Sequence, residues 1–523
     1  MTANGKVLVL GSLAPEGAER LREEGLQVEV RPEAGAIGAA RLGGCRALVV
    51  APGTPVTADM LTGADELSVI ACAGDDAGAV DLDAATRRGV LVLHAPGSAL
   101  ISEAEHTIAL VLAVARDLAG ADAALRGGSA GRVPGGGVEV RGKTLGLFGV
   151  PAGSELLVER ARAFGMEVLA CEAQAPGAAA AGVIECVGQE QVLSRADVVV
   201  VQTPAGIRFF GAGELARLKP AARLVCPGAP GSVDLEALAA ALVDGRLAGA
   251  AVAAEPGSAL PPSVLAAPRL LLTSPAETGT ADARRWAAVS VAEQVAAVLR
   301  GRLLRGAVNL PAAGDDADEL MPFMGLCSQL GRLLVQLAGA PVDAVEITYG
   351  GSVAYYETRL LTAGVLGGVL VGRSSAPVNF VNAEVVAAEL GVTASERRES
   401  AIPDFPRLIT VAVSGTGGSM SVSGTSLGSQ HKPRLVRVFG EDVDVEPAPH
   451  MAVLRYVDAP GIGGKVGTLL GEWGVNIGHM SVGRGKLGDE AVMVLTLDDA
   501  LTSTQTDELV ARCGLEYARA VEL

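Results

Sequence analysis

The segment Gly146–Glu172, GLFGVPAGSELLVERARAFGMEVLACE, constrains this chain more than any other. An apolar run, a glycine, a helix-forming stretch, a second apolar run and an acid follow one another without interruption. Strand, tight turn, helix and strand in that order make a crossover between parallel strands. The turn at such a helix start can hold a dinucleotide pyrophosphate on backbone N–H groups. Gly149, at the turn, and Glu172, placed to accept ribose hydroxyls, are the candidate cofactor-binding residues. Pro151 and Ser154 stand where close approach of a pyrophosphate calls for glycine. The segment therefore reads either as a working cofactor loop or as a scaffold kept for its packing, and the second reading is favoured.

The remainder of the chain repeats the same theme. KVLVLGS, CRALVVAPG, LSVIACAG and VLVLHAPG read as buried strands separated by helical stretches, which predicts a parallel sheet. A long helix is expected from Ser102 to about Leu125, its start fixed by a capping box of Ser102 and Glu105. RVPGGGVEVRGK reads as a loop and hairpin. ADVVVVQTP, ARLVCPG, LAGAAVAAE and RLLLTSPAE continue the strand–helix alternation, so an open doubly wound sheet is expected. Near residue 308 the pattern changes. DADELMPFMGLCSQLGRLLVQLAG is an amphipathic helix, VDAVEITYGGSVA a strand, GGVLVG a second strand ahead of a turn and helix, and RLITVAVSGTGGSMSVSGTSLG a hairpin. From residue 449 the text reads β-α-β-β-α-β, a ferredoxin-like module.

Composition narrows the function. A length of 523 residues implies three or four domains. Apolar residues make up 49% but aromatics only 3%, so the cores must be built from Ala, Val and Leu. The formal charge of −17 argues against nucleic acid and anionic membrane as partners, and a phosphorylated substrate would need a local basic pocket. The longest tight apolar run, Thr107–Ala115, falls far short of a membrane span, and the first residues lack a secretory pattern. Seven dispersed cysteines without CxxC pairs or metal-type spacing point to reduced thiols, hence a cytoplasmic protein with no metal site. None of the five histidines, His94, His106, His431, His450 and His479, lies between residues 107 and 430.

With these motifs in order, the chain resembles the long-form D-3-phosphoglycerate dehydrogenase family, within the D-isomer-specific 2-hydroxyacid dehydrogenases. The resemblance rests on VDLDAATRRGVLVLHAPG, ISEAEHTIAL, VEVRGKTLGLFG, RLITVAVSGTGG and DAPGIGGKVGTLLGEWGVNIGHMSVGR, among others. It implies a flavodoxin-like substrate domain from residues 1–100 plus 288–310 and a Rossmann-like nucleotide domain over 101–287. An intervening α+β domain over 311–446 and an ACT regulatory domain over 447–523 would follow. It also implies NAD-linked hydride transfer on a phosphorylated 2-hydroxy acid, in the pathway of serine synthesis. That chemistry needs a general acid, a cation for the carboxylate and basic residues for the phosphate.

Position by position, the resemblance implies that these groups have been replaced. The family's acid/base histidine corresponds to Ala276, its substrate arginine to Ala229 and a supporting aspartate to Ala253; Asp234 is retained. Glu277 and Glu255 are the nearest candidate substitutes. On the phosphate side Ala51, Pro55, Cys72 and Ala99 stand where polar or basic residues are usual, and Asp75 and Asp76 add negative charge. In the loop, Gly149 survives, Pro151 removes an N–H, and Ser154 is expected to crowd the helix–strand contact. In the ACT segment, Asp458, Pro460, Gly461 and Asn476 match the family's effector site for L-serine or another amino acid. Arg359 and Lys432 are candidates for an anion site in the intervening domain, and His106 for a packing residue. The resulting expectation is a non-catalytic or nearly inactive paralogue, a homo-oligomer or a partner of an active homologue. The alternatives are altered chemistry in a cleft of Asp75, Asp76, Gln202, Glu255 and Glu277, or an active NAD-dependent phosphoglycerate dehydrogenase.

Overall fold

The computed structural model describes residues 5–32, 42–128, 137–171, 184–202, 210–228, 231–254, 257–274, 279–302, 307–310, 317–374, 377–402, 404–428, 431–484 and 489–523. The first sheet contains β1 (Lys6–Leu10), β2 (Gln27–Arg31), β3 (Cys45–Val50), β4 (Val69–Cys72) and β5 (Leu91–His94). They are all parallel, in the order β2-β1-β3-β4-β5. Val7, Leu48, Ile70 and Val92 are fully buried, as expected where both faces of a parallel sheet are covered. The connections carry α1 (Pro15–Glu23), α2 (Ala58–Leu61) and α3 (Leu82–Arg87), the last capped by Asp81, which accepts the Ala84 N–H at 2.9 Å.

The expected helix from Ser102 is two helices, α4 (Leu100–Arg116) and α5 (Leu118–Arg126). Asp117 separates them at a left-handed φ of 50°. The start is also not the expected capping box. Ala99 occupies the cap position, and the Ser102 hydroxyl instead lies 2.8 Å from that of Thr280. Residues 137–143 contain no strand, so no hairpin forms there among the described residues.

The second sheet joins β6 (Thr144–Phe148), β7 (Glu167–Cys171), β8 (Glu185–Val187), β9 (Val198–Val201), β10 (Arg223–Cys226), β11 (Gly249–Ala253) and β12 (Leu270–Thr273). Their order is β12-β11-β10-β9-β6-β7-β8, and all pairs are parallel. Helices α6 (Ser154–Ala163), α7 (Gln189–Arg195), α8 (Ala212–Arg217), α9 (Leu235–Val243) and α10 (Pro262–Leu265) connect them. Helix α11 (Ala281–Leu299) then returns to the first sheet, where Val291 and Val295 are buried with Val7 and Val49.

The third region begins with α12 (Ala317–Ala338), β13 (Val342–Gly351), α13 (Arg359–Val369), α14 (Ala383–Glu389) and β14 (Thr393–Glu399). Strands β15 (Arg407–Gly415), β16 (Gly418–Leu427), β17 (Lys432–Val438) and β18 (Glu441–Val445) complete a mixed sheet in the order β14-β13-β15-β16-β17-β18. The hairpin expected at SGTGGS is β15–β16, closed by the Gly415–Gly418 pair. GGVLVG, however, is the end of α13 and its following turn, not a strand. The reason is tertiary. A Cβ on Gly368 would lie 2.3 Å from the Ser328 carbonyl, and one on Gly331 would lie 2.3 Å from that of Val365. The two helices thus cross backbone against backbone, which only glycine permits.

The tail is β19 (His450–Val457), α15 (Ile462–Glu472), β20 (Ile477–Arg484), β21 (Glu490–Leu497), α16 (Ser503–Cys513) and β22 (Tyr517–Glu522). Its antiparallel sheet has the order β20-β21-β19-β22 and matches the β-α-β-β-α-β reading. One face packs on its own helices. The other gives Met451, Val453, Val492 and Val494 to the core of the preceding region. Gln336 joins the two regions by accepting the Glu522 N–H at 3.0 Å and donating to the Glu522 carbonyl at 2.8 Å.

The helix crossing yields a first prediction. Gly331→Ala should destabilise this region by about 1–3 kcal/mol through overpacking. Gly325→Ala, on the same helix with open space at its Cβ position, should be neutral or stabilising. Urea unfolding of the two variants checks the contrast.

Candidate functional site

Each parallel sheet reverses its strand order once, at β1/β3 and at β6/β9. Ligands of such sheets gather outside the carboxyl ends of the strands at these points. The β6–α6 turn lies at the second of them. Gly149 and Gly153 there have φ of 88° and 83°, values that L side chains avoid. Ser154 does not crowd the packing as expected. It is buried, and both its N–H and its hydroxyl donate to the Pro151 carbonyl, at 3.1 and 2.7 Å. Leu100 of α4 packs over Gly153, where an added Cβ would lie 2.7 Å from its Cδ2.

This geometry fits a tightly held pyrophosphate poorly. Pro151 has no N–H to give, and the N–H of Ser154 is already spent inside the loop. Glu172 lies outside the described residues. At the end of β9, Gln202 donates its N–H to the Phe148 carbonyl at 2.8 Å. Its buried side-chain oxygen has no partner among the described residues, and neither does the hydroxyl of Thr273 at the end of β12. Sequence reasoning missed Thr273 and Leu100, because nothing local distinguishes a strand-end threonine or an apolar helix residue.

The first switch point carries a clear charge signature. The loops after β1, β3, β4 and β5 contain Asp75, Asp76 and Asp81 but no lysine or arginine, and the half-buried His94 ends β5. Asp75 accepts the N–H groups of Ser98 at 2.9 Å and Ala99 at 3.2 Å, while its carbonyl lies 2.7 Å from His94 Nδ1. Asp76 accepts the Gly78 N–H at 2.8 Å. Both acids therefore build loops. Burial, and then the nearby Asp76 charge, push the Cys72 thiol up to about 12, so it carries no thiolate. Burial, and then Asp75, also hold the Glu103 carboxyl above its ordinary value. Ala51 and Ala99 are half-buried, and Pro55 is exposed.

Ala253 ends β11 and is buried, while Ala229, Glu255, Ala276 and Glu277 lie outside the described residues. Asp234 is the N-cap of α9 and accepts the N–H groups of Glu236 at 3.1 Å and Ala237 at 3.0 Å. In the tail, Asp458 pairs with Arg484 at 3.0 Å, and Asn476 donates to Asp498 at 2.9 Å. Pro460 and Gly461 form the turn into α15, with Gly461 as its N-cap at φ 92°. Arg359 pairs with Glu384 at 3.5 Å, and Lys432 begins β17. His106 is half-buried on α4, and His479 reaches the Asp444 carbonyl at 3.1 Å. All seven cysteines are outside disulfides. Among the described residues no group of three potential metal ligands forms, and no helix is long and apolar enough to cross a membrane.

Residues 7–309 match the model of the D-isomer specific 2-hydroxyacid dehydrogenase catalytic domain, and residues 319–439 that of the D-3-phosphoglycerate dehydrogenase intervening domain. The D-3-phosphoglycerate dehydrogenase of Mycobacterium tuberculosis is 35% identical over 99% of each chain. That of Archaeoglobus fulgidus is 32% identical over 99% of this chain and all of its own. This chain belongs to the D-3-phosphoglycerate dehydrogenase family. Among solved structures, a 2-hydroxyacid dehydrogenase from Ketogulonicigenium vulgare is 25% identical at a TM-score of 0.50, over 59% of this chain and 99% of its own. An NADPH-dependent glyoxylate/hydroxypyruvate reductase from Sinorhizobium meliloti gives the same identity and TM-score over 58% and 98%. Membership in the phosphoglycerate dehydrogenase family accounts for the two doubly wound sheets and the order of the regions that follow them.

Glu103 gives this family member a measurable electrostatic signature. Its folded pKa lies above the ordinary 4.5, so the folded chain holds the proton more tightly than the unfolded chain. Its effect on stability is therefore unfavourable once pH rises above the ordinary carboxylate range. Glu103→Gln should raise the unfolding temperature at a pH of about 7, with the gain shrinking as pH falls towards about 5. Thermal unfolding across that range checks the sign.

Proposed function

We propose that this chain is a family member with little or no hydride-transfer activity, which assembles with copies of itself or with an active relative and binds an amino-acid effector through its tail. One observation carries the catalytic half: the loops after β1, β3, β4 and β5 present acids, with the His94 imidazole at the end of β5, but no guanidinium or ammonium group. A phosphorylated 2-hydroxy acid carries at least two anionic groups, and binding it against Asp75 and Glu103 without a cation is unfavourable. Ala276, Ala229 and Ala253, set against the family's histidine, arginine and aspartate, support the same reading. Losing a general acid alone typically costs about 10²–10⁴ in rate. NAD is the cofactor that family resemblance implies, and the Pro151 loop favours weak binding at best.

The tail retains Asp458, Pro460, Gly461 and Asn476, a carboxylate, a turn and an amide suited to the ammonium and carboxylate of an amino acid such as L-serine. Asp458 is held by Arg484, so the ligand's ammonium group must compete with that ion pair. Val457, Met480 and Val482 stand exposed on the same domain, where a second chain would cover them. The acidic charge and free thiols suit a cytoplasmic protein.

The test is a turnover assay with 3-phosphoglycerate and NAD, run beside an active relative, with NADH titration followed by fluorescence. Turnover below about 10⁻² s⁻¹ is expected; a rate of about 1 s⁻¹ or more, the low end of ordinary enzymes, overturns the catalytic half. Calorimetry with L-serine should give a binding heat that Asp458→Ala abolishes. Absence of that heat in the unaltered chain overturns the effector half.

A further inference from the structure

The opposite, amino-terminal edge of the first sheet carries the reverse charge pattern. Arg46 is the second residue of β3, and Arg87 and Arg88 close α3 just ahead of β5. Strands β3, β4 and β5 are parallel, so these residues share one edge. Arg302, beyond the end of α11, and Arg332, on α12, join them around a cavity of about 1040 Å³ between this sheet and the α12–α13 pair. Five guanidinium groups thus line one cavity in a chain whose formal charge is −17. Asp65 is the one carboxylate among its described lining residues, and Arg88 already holds it at 2.9 Å. Arg46, Arg87, Arg302 and Arg332 have no carboxylate partner among the described residues.

Elsewhere arginines are commonly paired, as Arg512 is with Glu472 and Arg20 with Glu24. Gathering unpaired like charges around a concave surface costs free energy unless an anion offsets it. The rest of the lining mixes small polar residues, Ser68, Ser328 and Asn379, with an apolar patch of Met321, Met324 and Phe380 contributed by the third region. The walls are fixed to each other. Asn379 Nδ2 donates to the Gly89 carbonyl at 2.8 Å, and Asn382 Nδ2 to that of Arg87 at 3.3 Å. A pre-formed cavity of this size can enclose a small organic molecule.

We propose that this interdomain cavity binds an organic polyphosphate of the nucleoside diphosphate class. Its phosphates pair with Arg46, Arg87, Arg302 and Arg332, and its base lies against Met321, Met324 and Phe380. The site is separated from the switch points by the length of the first sheet's strands. It is therefore a regulatory site that ties the sheet to α12, and it does not rest on the activity proposed above.

The experiment is calorimetry of the full chain with ADP, pyrophosphate and adenosine at 0.05 and 0.15 M salt, values of order set by counter-ion screening. ADP should bind, more weakly at the higher salt, and at least about tenfold more tightly than pyrophosphate or adenosine alone. Arg46→Ala/Arg332→Ala and Arg87→Ala/Arg302→Ala should each weaken ADP at least about tenfold, whereas Arg126→Ala, on α5 and paired with Asp122 away from the cavity, should not. Hydrogen exchange provides a second readout that needs no variant: ADP should protect the Met321–Arg332 stretch and the start of β5. ADP affinity within twofold of the unaltered chain in both double variants overturns the proposal. So does protection confined to the β6–α6 loop, or ADP binding no tighter than pyrophosphate.

Discussion

Cores made of alanine, valine and leucine hold together only when backbones come close, and this constraint runs through the whole molecule. With few aromatic side chains to fill space, elements approach until glycine is required at the contact. Gly331 and Gly368 bring α12 and α13 together, Gly17 brings α1 onto Ala288 of α11, and Gly146 leaves room for Val192 and Ala196 beneath the second sheet. Dispersion at such short range adds up over many atom pairs. The same close packing makes the core of the third region continuous with the tail, through Met451, Val453 and Val492. The regions after residue 317 therefore behave as one packed body.

Set on that frame, charge decides what each edge of the first sheet can hold. Its carboxyl edge, where ligands of doubly wound sheets collect, has acids that spend their oxygens on loop N–H groups. Asp75 closes the Ser98–Ala99 turn and Asp76 closes its own turn. These residues support the loops while disfavouring a phosphorylated guest. The amino edge faces the third region and concentrates guanidinium groups around a cavity. The two edges of one sheet thus differ in charge, acidic at the carboxyl end and cationic around the cavity at the amino end.

In the second sheet, the β6–α6 loop holds its turn through its own backbone. Gly149 and Gly153 preserve the left-handed positions, so α6 begins where the fold needs it. Ser154 turns its donors inward to Pro151, which settles the loop without a ligand. At the ends of β9 and β12, the side-chain oxygen atoms of Gln202 and Thr273 are buried.

The sequence alone determined the alternation of strands and helices in the first 300 residues, the β15–β16 hairpin and the β-α-β-β-α-β tail. Each depends on local periodicity, glycine turns and the run lengths of apolar residues, which are legible one segment at a time. Only tertiary structure decided that GGVLVG is helix and turn, because its Gly368 answers to α12, far off in sequence. It also decided that TASERRE is a strand, β14, whose exposed polar side chains suit the edge of a sheet. The same holds for the break at Asp117, the Ser102–Thr280 contact and the gathering of Arg46, Arg87, Arg302 and Arg332. Those residues come from separate segments, and no spacing along the chain records that parallel strands and a returning helix will place them around one cavity.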